Sequence, residues 1–296
     1  MKKFIRILPI LLLIVAAFSC KRKEESRKEY ESVILNDMHF NSRHLESGVA
    51  HFNIYLPADY AVSGKEYPVL YLLHGVLDDH TAWKAKGNMR KITDKAIKSG
   101  VVEPFIVVMP DGFLGFYVNG AKNINGKRYG NDWEDYFYNE LKPHIEKSYP
   151  VKKGRKNTAF AGCSMGGYGS IYHAFNHPDK IGFCYAMSAA IDDLGLLGNI
   201  VPSIKEIFKN NGYGEADFNR LPYFVMECGK EDVVSTKFNE HSHRFLKSVD
   251  FPHQYRKFDG IHNWEFWQGS YERMLPDLAN LFGKGTPYSG QETAQE

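Results

Sequence analysis

The chain has 296 residues, a net charge of +2 and 43% hydrophobic residues, which is enough apolar material for one large buried core. Its charged residues are interspersed, with neither a basic stripe nor an acidic tail, and this argues against a nucleic-acid partner. Without an internal repeat or a second-domain pattern, we expect one domain that binds a small or neutral molecule.

The first twenty residues have the pattern of an export signal. The positively charged start MKKFIR precedes the apolar stretch LPILLLIVAAF, which is too short to span a bilayer as a stable anchor. The closing AFSC resembles a bacterial lipoprotein box, which implies lipidation of Cys20 and anchoring to the outer membrane, in the periplasm or at the cell surface. Ordinary signal cleavage, with Cys20 an incidental thiol, is the alternative.

Composition then divides the rest of the chain into three parts. Residues 21–47 begin with the charged run KRKEESRKEYES, and we predict a solvated tether and a lead-in there. Residues 48–282 are predicted to form the folded domain. The closing 283–296, rich in polar residues and glycine, is predicted to be a disordered tail.

Apolar and alternating runs predict strands that are separated by helix-like patterns. The strands are predicted at 51–57, 67–73, 103–110, 157–162, 183–188, 223–228 and 253–258, and the helices at 83–100, 131–149, 166–177, 235–249 and 263–282. Such alternation predicts an α/β fold, with a mostly parallel central sheet covered by helices on both faces. Ligands of these sheets bind beyond the carboxyl ends of the strands, so the loops there should carry the chemistry.

Cysteine and histidine spacing gives no sign of a disulfide framework or a metal site. After the signal there are three cysteines, Cys163, Cys184 and Cys228, and this odd count favours buried free thiols. No cysteine pair has metal-ligand spacing, and His241 and His243 on a predicted helix point to different faces. We therefore expect neither a metal nor a cofactor.

The stretch AGCSMGGYGS places one serine at a strand-to-helix corner. Gly162, Ser164 and Gly166 form a G-x-S-x-G pattern, in which small residues let the chain turn sharply and expose the serine hydroxyl. Taken alone, the pattern is as compatible with a plain glycine-rich turn as with a nucleophile.

Two later loops supply the partners that a nucleophilic serine needs, a base and a carboxylate that orients it. Asp232 follows one predicted strand in GKEDVV, and His262 follows the last predicted strand in DGIHNWEFW. The order Ser164, Asp232, His262 is that of α/β-hydrolases. Other carboxylates remain open as the acid, namely Asp192, Asp193, Glu231 and Asp259.

The run YLLHGVLDD supplies candidate donors for an oxyanion. Gly75 lets the backbone turn after its strand, so that the N–H of Val76 can point into the site. Together with the N–H of Met165, directly after the serine, it would form an oxyanion hole. His74 is expected to brace this loop rather than to transfer protons.

These motifs together resemble one family. YLLHG, the PDG after the third predicted strand, YFYNELKPHIEKSYPV, GCSMGGYG, GKED and GIHNWEFW are similar to the putative esterase family of α/β-hydrolases, which includes esterase D, feruloyl esterases, tributyrin-type esterases and mycolyltransferases. The resemblance covers residues 48–282. It implies an α/β-hydrolase fold without a large separate lid domain, no cofactor, Ser164 as nucleophile, Asp232 and His262 as its partners, and Val76 and Met165 as oxyanion donors.

The substrate is predicted from aromatic residues near the expected cleft. Two long connections, 113–133 and 192–218, are expected to form its walls, and Tyr117, Trp133 and Trp264 to stack on a sugar or an aryl group; packing of the three in the core is the alternative. An exported esterase that removes feruloyl or acetyl groups from plant polysaccharide such as xylan is our first interpretation. The alternatives are an esterase of short-chain acyl, S-formylglutathione-type or siderophore esters, an acyltransferase, and an inactive glycan-binding module at the surface.

Overall fold

The computed structural model of the chain describes residues 30–120, 131–191 and 201–283, and its larger compact unit begins at Ser32. Among these residues the strands are β1 (Val33–Asn41), β2 (Val49–Leu56), β3 (Val69–Leu73), β4 (Ile106–Pro110), β5 (Thr158–Cys163), β6 (Phe183–Met187), β7 (Tyr223–Gly229) and β8 (Gln254–Phe258). They form one sheet in the order β1-β2-β4-β3-β5-β6-β7-β8. The pairs β1–β2 and β2–β4 are antiparallel and the other pairs are parallel.

Helices cover both faces of this sheet. They are α1 (Ala82–Ala85), α2 (Met89–Lys98), α3 (Trp133–Tyr136), α4 (Lys142–Ser148), α5 (Met165–Asn176), α6 (Ile204–Asn211), α7 (Thr236–Ser248) and α8 (Trp264–Phe282). A π-helical segment, Phe137–Leu141, joins α3 to α4. The helices α1, α2 and α8 pack on one face and α3 to α7 on the other, so the predicted α/β-hydrolase fold is confirmed. From Ser32 on, the described residues contain no separate lid domain.

Side chains along the central strands alternate between two cores. On β3, Tyr71 packs with the α5 side of the sheet, whereas Leu70 and Leu72 pack with the α8 side. All five residues of β3 and all five of β4 are buried. Strands that are covered on both faces read as continuous apolar runs, which is why these were visible in the sequence.

The predicted start of the folded domain at residue 48 is wrong. Within the predicted lead-in, β1 (Val33–Asn41) pairs with β2 along the edge of the sheet. The polar residues of this strand are stable there because an edge strand has one side open to water. A register shift between Leu35 and Met38 also breaks its alternation.

The predicted long connection 192–218 contains a helix, α6, in its described part. Ser203 begins it with a capping box, in which its hydroxyl accepts a hydrogen bond from the N–H of Glu206 and the Glu206 carboxylate accepts one from the N–H of Ser203. Residues 192–200 of this connection lie outside the described residues.

Cys163, Cys184 and Cys228 are buried free thiols, as predicted. Burial raises the pKa of the Cys163 and Cys184 thiols, so neither has the thiolate character of a reactive cysteine. No helix in the described ranges has both the length and the apolarity to cross a membrane. Cys20, the tether and residues 284–296 lie outside the described residues.

Candidate active site

Ser164 lies in a sharp turn between β5 and α5. Its backbone has φ of 53° and ψ of −116°, a strained conformation for a residue other than glycine. The flanking glycines are required by close packing, because a Cβ on Gly162 would lie 2.5 Å from the Gly166 carbonyl oxygen and one on Gly166 would lie 2.4 Å from the Leu73 carbonyl oxygen. The G-x-S-x-G pattern therefore lets the start of α5 lie directly against the ends of β3 and β5.

The structure brings Ser164, His262 and Asp232 into one hydrogen-bonded chain. The Ser164 hydroxyl lies 3.0 Å from His262 Nε2, and His262 Nδ1 lies 2.9 Å from Asp232 Oδ2. Since a carboxylate only accepts, Nδ1 carries the proton and Nε2 is free to accept the proton of the serine hydroxyl. This is the geometry of a serine nucleophile with its base and orienting acid.

Asp232 is fully buried and held by several donors. Its carboxylate accepts hydrogen bonds from the Ser235 hydroxyl at 2.7 Å, the Ser235 N–H at 2.9 Å and the Val234 N–H at 3.0 Å. Burial opposes ionisation of this carboxyl, but the hydrogen bonds from His262 and Ser235 outweigh it and hold the pKa of Asp232 below its ordinary value. The carboxyl is thus an anion at neutral pH.

The rival carboxylates have other partners or lie outside the described residues. Glu231 accepts a hydrogen bond from the N–H of Gly260, and Asp259 pairs with Lys230 at the surface. Asp192 and Asp193 lie outside the described residues.

A packed aromatic residue positions His262, and the sequence prediction missed it. Trp267, on the first turns of α8, packs edge-on against the imidazole with ring centroids 5.0 Å apart. Asn263 caps this helix, and its side chain accepts a hydrogen bond from the Phe266 N–H. The signal was present in HNWEFW, because the residues at the start of a helix that follows a histidine point back toward it.

Two backbone N–H groups beside Ser164 have no acceptor among the described residues. They belong to Val76, after β3, and Met165, at the start of α5. Gly75 brings the first of them close, since a Cβ built there would lie 3.5 Å from the Ser164 Cβ. Free N–H groups next to a serine, one of them at a helix N-terminus, are suited to hold an oxyanion.

His74 braces the turn that carries Val76. Its Nδ1 donates to the Gly75 carbonyl at 2.8 Å, and its Nε2 accepts a hydrogen bond from the Gly112 N–H at 2.8 Å. Because both ring nitrogens are engaged with the backbone and the ring is buried, this imidazole holds two loops together.

The prediction that Tyr117 and Trp133 line the cleft is wrong, because both side chains are fully buried. The Tyr117 hydroxyl donates to the His74 carbonyl at 2.9 Å, and the indole N–H of Trp133 donates to the Asp111 carbonyl at 3.0 Å. The two rings pack edge-to-face, 4.8 Å between centroids. Through these hydrogen bonds the two side chains support the loops after β3 and β4. Neither has exposed surface that a ligand could contact.

Trp264, the third predicted aromatic residue, keeps part of its surface exposed. It packs edge-on against Trp83 and Trp267, with centroids 5.1 and 5.2 Å away. It therefore borders the residue that positions His262.

Exposed apolar side chains surround these loops. Leu77 is 85% exposed and Val233 is 94% exposed, and each lies within one residue of a proposed site residue. We call the following five residues the apolar rim: Val76, Leu77, Val233, Val234 and Ile261. Exposed apolar side chains on the loops that carry the site residues are suited to contact the apolar part of a ligand.

A cavity of about 380 Å³ lies beside the turn after β3. Its size is in the range of small-molecule sites. The described residues that line it are Glu46, Leu77, Asp78, Asp111, Phe113, Leu114 and Asn131.

Residues 45–217, more than half of the chain, match the family described as putative esterase. The chain belongs to this family. An endo-1,4-beta-xylanase/feruloyl esterase of Xylanibacter ruminicola is 37% identical over 231 residues, which is 76% of this chain and 29% of that protein. The chain thus spans less than a third of that relative's length.

The solved structures that superpose on this chain include esterases. A ferulic acid esterase superposes with a TM-score of 0.73 at 28% identity, over 86% of this chain and 100% of that one. An S-formylglutathione hydrolase from Staphylococcus aureus has a TM-score of 0.69 at 21% identity, over 84% and 100% of the two chains. At that lower identity the likeness is one of fold.

Proposed function

We propose that this protein is a serine carboxylic-ester hydrolase in which Ser164 is the nucleophile, His262 the base and Asp232 the acid that orients it. The observation that carries the proposal is the hydrogen-bonded chain from the Ser164 hydroxyl through the imidazole to a buried carboxylate. Membership of the putative esterase family supports it.

In the first half-reaction, His262 Nε2 takes the proton of Ser164 as Oγ bonds to the ester carbonyl carbon. The carbonyl oxygen becomes an anion that accepts hydrogen bonds from the N–H groups of Val76 and Met165. Asp232 stabilises the imidazolium. The tetrahedral intermediate then collapses, the alcohol leaves with the proton from His262, and an acyl-enzyme remains.

In the second half-reaction, a water molecule attacks the acyl carbon and gives its proton to His262. The second tetrahedral intermediate collapses with Ser164 Oγ as the leaving group. The serine regains the proton from the imidazole and the acid is released. Apart from the ester and the water molecule, each step uses side chains and backbone of this chain.

For the acyl group we propose a feruloyl or other aryl acid esterified to a plant polysaccharide such as xylan, with acetyl as the smaller alternative. The apolar rim offers surface that an aryl acid buries and an acetyl group does not. The cavity beside it combines carboxylates with the ring of Phe113. Carboxylates accept hydrogen bonds from the hydroxyl groups of a sugar, and an aromatic ring packs against the apolar face of the sugar. The similarity to a xylanase/feruloyl esterase agrees with this choice.

A panel of esters tests the reaction and the substrate separately. We expect kcat/KM for feruloylated arabinoxylo-oligosaccharide to exceed that for acetylated xylo-oligosaccharide by at least about tenfold, with p-nitrophenyl butyrate hydrolysed as a generic ester. Ser164→Ala should be inactive on all three. Turnover of the generic ester alone would contradict the polysaccharide substrate, and no turnover of any ester would favour a glycan-binding module.

We also propose that the protein is exported and anchored through a lipidated Cys20. The apolar signal and the AFSC box support this, because two or more acyl chains provide the stable anchoring that a single chain does not. Cys20→Ala should move the protein from the membrane fraction to the soluble fraction. Equal membrane association of the two proteins, or no incorporation of a fatty-acid probe into the wild type, would contradict the anchor.

A further inference from the structure

Two histidines and an aspartate from three separate segments meet near the edge of the sheet. Asp37 lies on β1, His51 on β2, and His80 in the loop between β3 and α1. His51 Nδ1 lies 2.7 Å from Asp37 Oδ1, and His80 Nε2 lies 3.4 Å from the same oxygen. One possible ligand atom from each residue lies within 4.8 Å of the others.

His80 is the least solvated member of this group. Its side chain is only 12% exposed, and neither ring nitrogen makes a hydrogen bond. The nearest carboxylate oxygens lie 3.4 Å from Nε2 and 3.8 Å from Nδ1, which is longer than a normal hydrogen bond. A metal ion bound to Nε2 would give this nitrogen a short bond.

The backbone of β1 directs Asp37 to the histidines. Asp37 lies where the β1–β2 register shifts, and its φ is 49°. Its N–H donates to the side-chain oxygen of Asn53 at 2.7 Å, which holds this conformation. Bulges re-aim side chains and are costly to keep, so the strand carries strain at the residue that faces both imidazoles.

We propose that Asp37, His51 and His80 bind a divalent transition-metal ion of the zinc class. Two imidazoles and one carboxylate are a ligand set for Zn²⁺, and bonds of about 2.1 Å place tetrahedral ligands about 3.4 Å apart. The His80–Asp37 separation already has this value. The His51–Asp37 pair must open by about 0.7 Å, which the exposure of these two side chains, 36% and 62%, permits.

A partly buried carboxylate, Asp111, lies beside His80. Asp111 Oδ2 lies 3.8 Å from His80 Nδ1, and the Asp111 N–H donates to the His51 carbonyl at 3.0 Å. Metal-bound histidines commonly present their second nitrogen to a carboxylate, which fixes the ring and strengthens the ligand. Asp111 Oδ1 also lies 3.5 Å from His74 Nε2, so this carboxylate lies between the metal site and the turn of the active site.

Three protein ligands leave the fourth position of a tetrahedral site to a water molecule, and the Asp37 side chain is 62% exposed, so solvent has access to the group. The spacing of the three ligands along the chain does not suggest a metal site. They come together only because β1 pairs with β2 and the loop after β3 brings His80 next to these two strands. For this reason no metal was expected from the sequence.

The test uses the tag-free chain, stripped with a chelator and dialysed against Zn²⁺ at neutral pH. We expect one equivalent of bound zinc by elemental analysis, a micromolar or tighter Kd, a higher Tm, and the visible absorption of tetrahedral Co²⁺ when cobalt replaces zinc. His80→Gln, His51→Gln and Asp37→Asn should each weaken binding at least about tenfold, and Asp111→Asn by about 10- to 100-fold.

One variant with an intact ligand set serves as the control. His243→Gln breaks a histidine pair at the opposite edge of the sheet, His243–His253, whose ring nitrogens lie 2.8 Å apart. It should bind zinc like the wild type. Absence of stoichiometric zinc in the wild type, or unchanged binding by the His80→Gln variant, would overturn the proposal.

Discussion

His262 acts as a base only in the tautomer that carries its proton on Nδ1. Asp232 Oδ2, 2.9 Å away, accepts a hydrogen bond from Nδ1 and so favours this tautomer. In Asp232→Asn the amide can donate to the imidazole, which favours the wrong tautomer, so we expect kcat to fall by about 10⁴ without loss of folding. Steady-state hydrolysis of p-nitrophenyl acetate measures this. Asp259→Asn is the control, because its carboxylate only pairs with Lys230 at the surface; equal losses in both variants would contradict the assignment of the acid.

Tyr117 is expected to affect catalysis through the turn that it supports. Tyr117→Phe removes the donor to the buried His74 carbonyl, which should cost about 1–3 kcal/mol of unfolding free energy and lower kcat more than it raises KM. Tyr136→Phe is a matched control, since the buried Tyr136 hydroxyl makes no hydrogen bond, and it should be neutral or stabilising. If Tyr117→Phe raised KM alone, Tyr117 would contact substrate.

At the scale of single residues, the sequence predicted which side chains meet better than it predicted their exposure. Ser164, Asp232 and His262 each follow a strand. Their order along the chain narrowed the candidates for the acid and the base. Tyr117 and Trp133 resemble cleft residues in sequence, yet both are buried, because burial depends on the packing of α3 against α5, which local pattern does not encode. Trp267 was missed although HNWEFW carried a signal, namely its place on the first turns of the helix that follows His262.

Among the elements, the start of α5 depends on the absence of a side chain at Gly166. A Cβ there would lie 2.4 Å from the Leu73 carbonyl and 2.6 Å from the His74 carbonyl, and these are backbone atoms that cannot rotate away. Gly166→Ala should therefore cost at least about 1–3 kcal/mol of unfolding free energy and displace Ser164, with loss of activity.

Urea denaturation and the activity of the folded variant measure the effect of Gly166→Ala. Gly214→Ala is the control, because Gly214 has an extended backbone with nothing within 4 Å of a built Cβ, and it should change little. A Gly166→Ala protein with wild-type stability and turnover would show that α5 does not need this close approach.

The seven strands predicted from sequence are present, with ends shifted by up to three residues. The missed strand, β1, is an edge strand with a register shift and follows a charged run, so neither its composition nor its alternation marked it. The missed helix α6 did carry a readable signal, the spacing of Ser203 and Glu206 that forms its capping box.

For the whole molecule, buried His173 makes stability depend on pH. Its Nε2 donates to the Tyr117 carbonyl at 2.7 Å and its Nδ1 has no hydrogen-bond partner. Burial lowers the pKa of His173 from 6.5 to about 4, so between these values the unfolded chain binds the proton and the folded chain does not. Stability is full above pH 6.5 and falls toward pH 4, by on the order of 3 kcal/mol from this residue.

Urea denaturation at pH 7 and pH 5 measures this dependence. His173→Gln keeps an amide N–H for the Tyr117 carbonyl and cannot be protonated, so its loss of stability between the two pH values should be smaller than that of the wild type. Other histidines contribute equally to both proteins. An identical loss in wild type and variant would mean that His173 is protonated in the folded state.

The proposed mechanism requires that Ser164 is an activated nucleophile within an intact fold. Intact-mass analysis after treatment with a fluorophosphonate tests this most directly, since the reagent bonds only to a serine that a neighbouring base activates. We predict one adduct per chain, mapped to Ser164, absent in Ser164→Ala and formed much more slowly in His262→Ala. An unlabelled wild-type protein, or an adduct that persists in Ser164→Ala, would contradict the proposed mechanism.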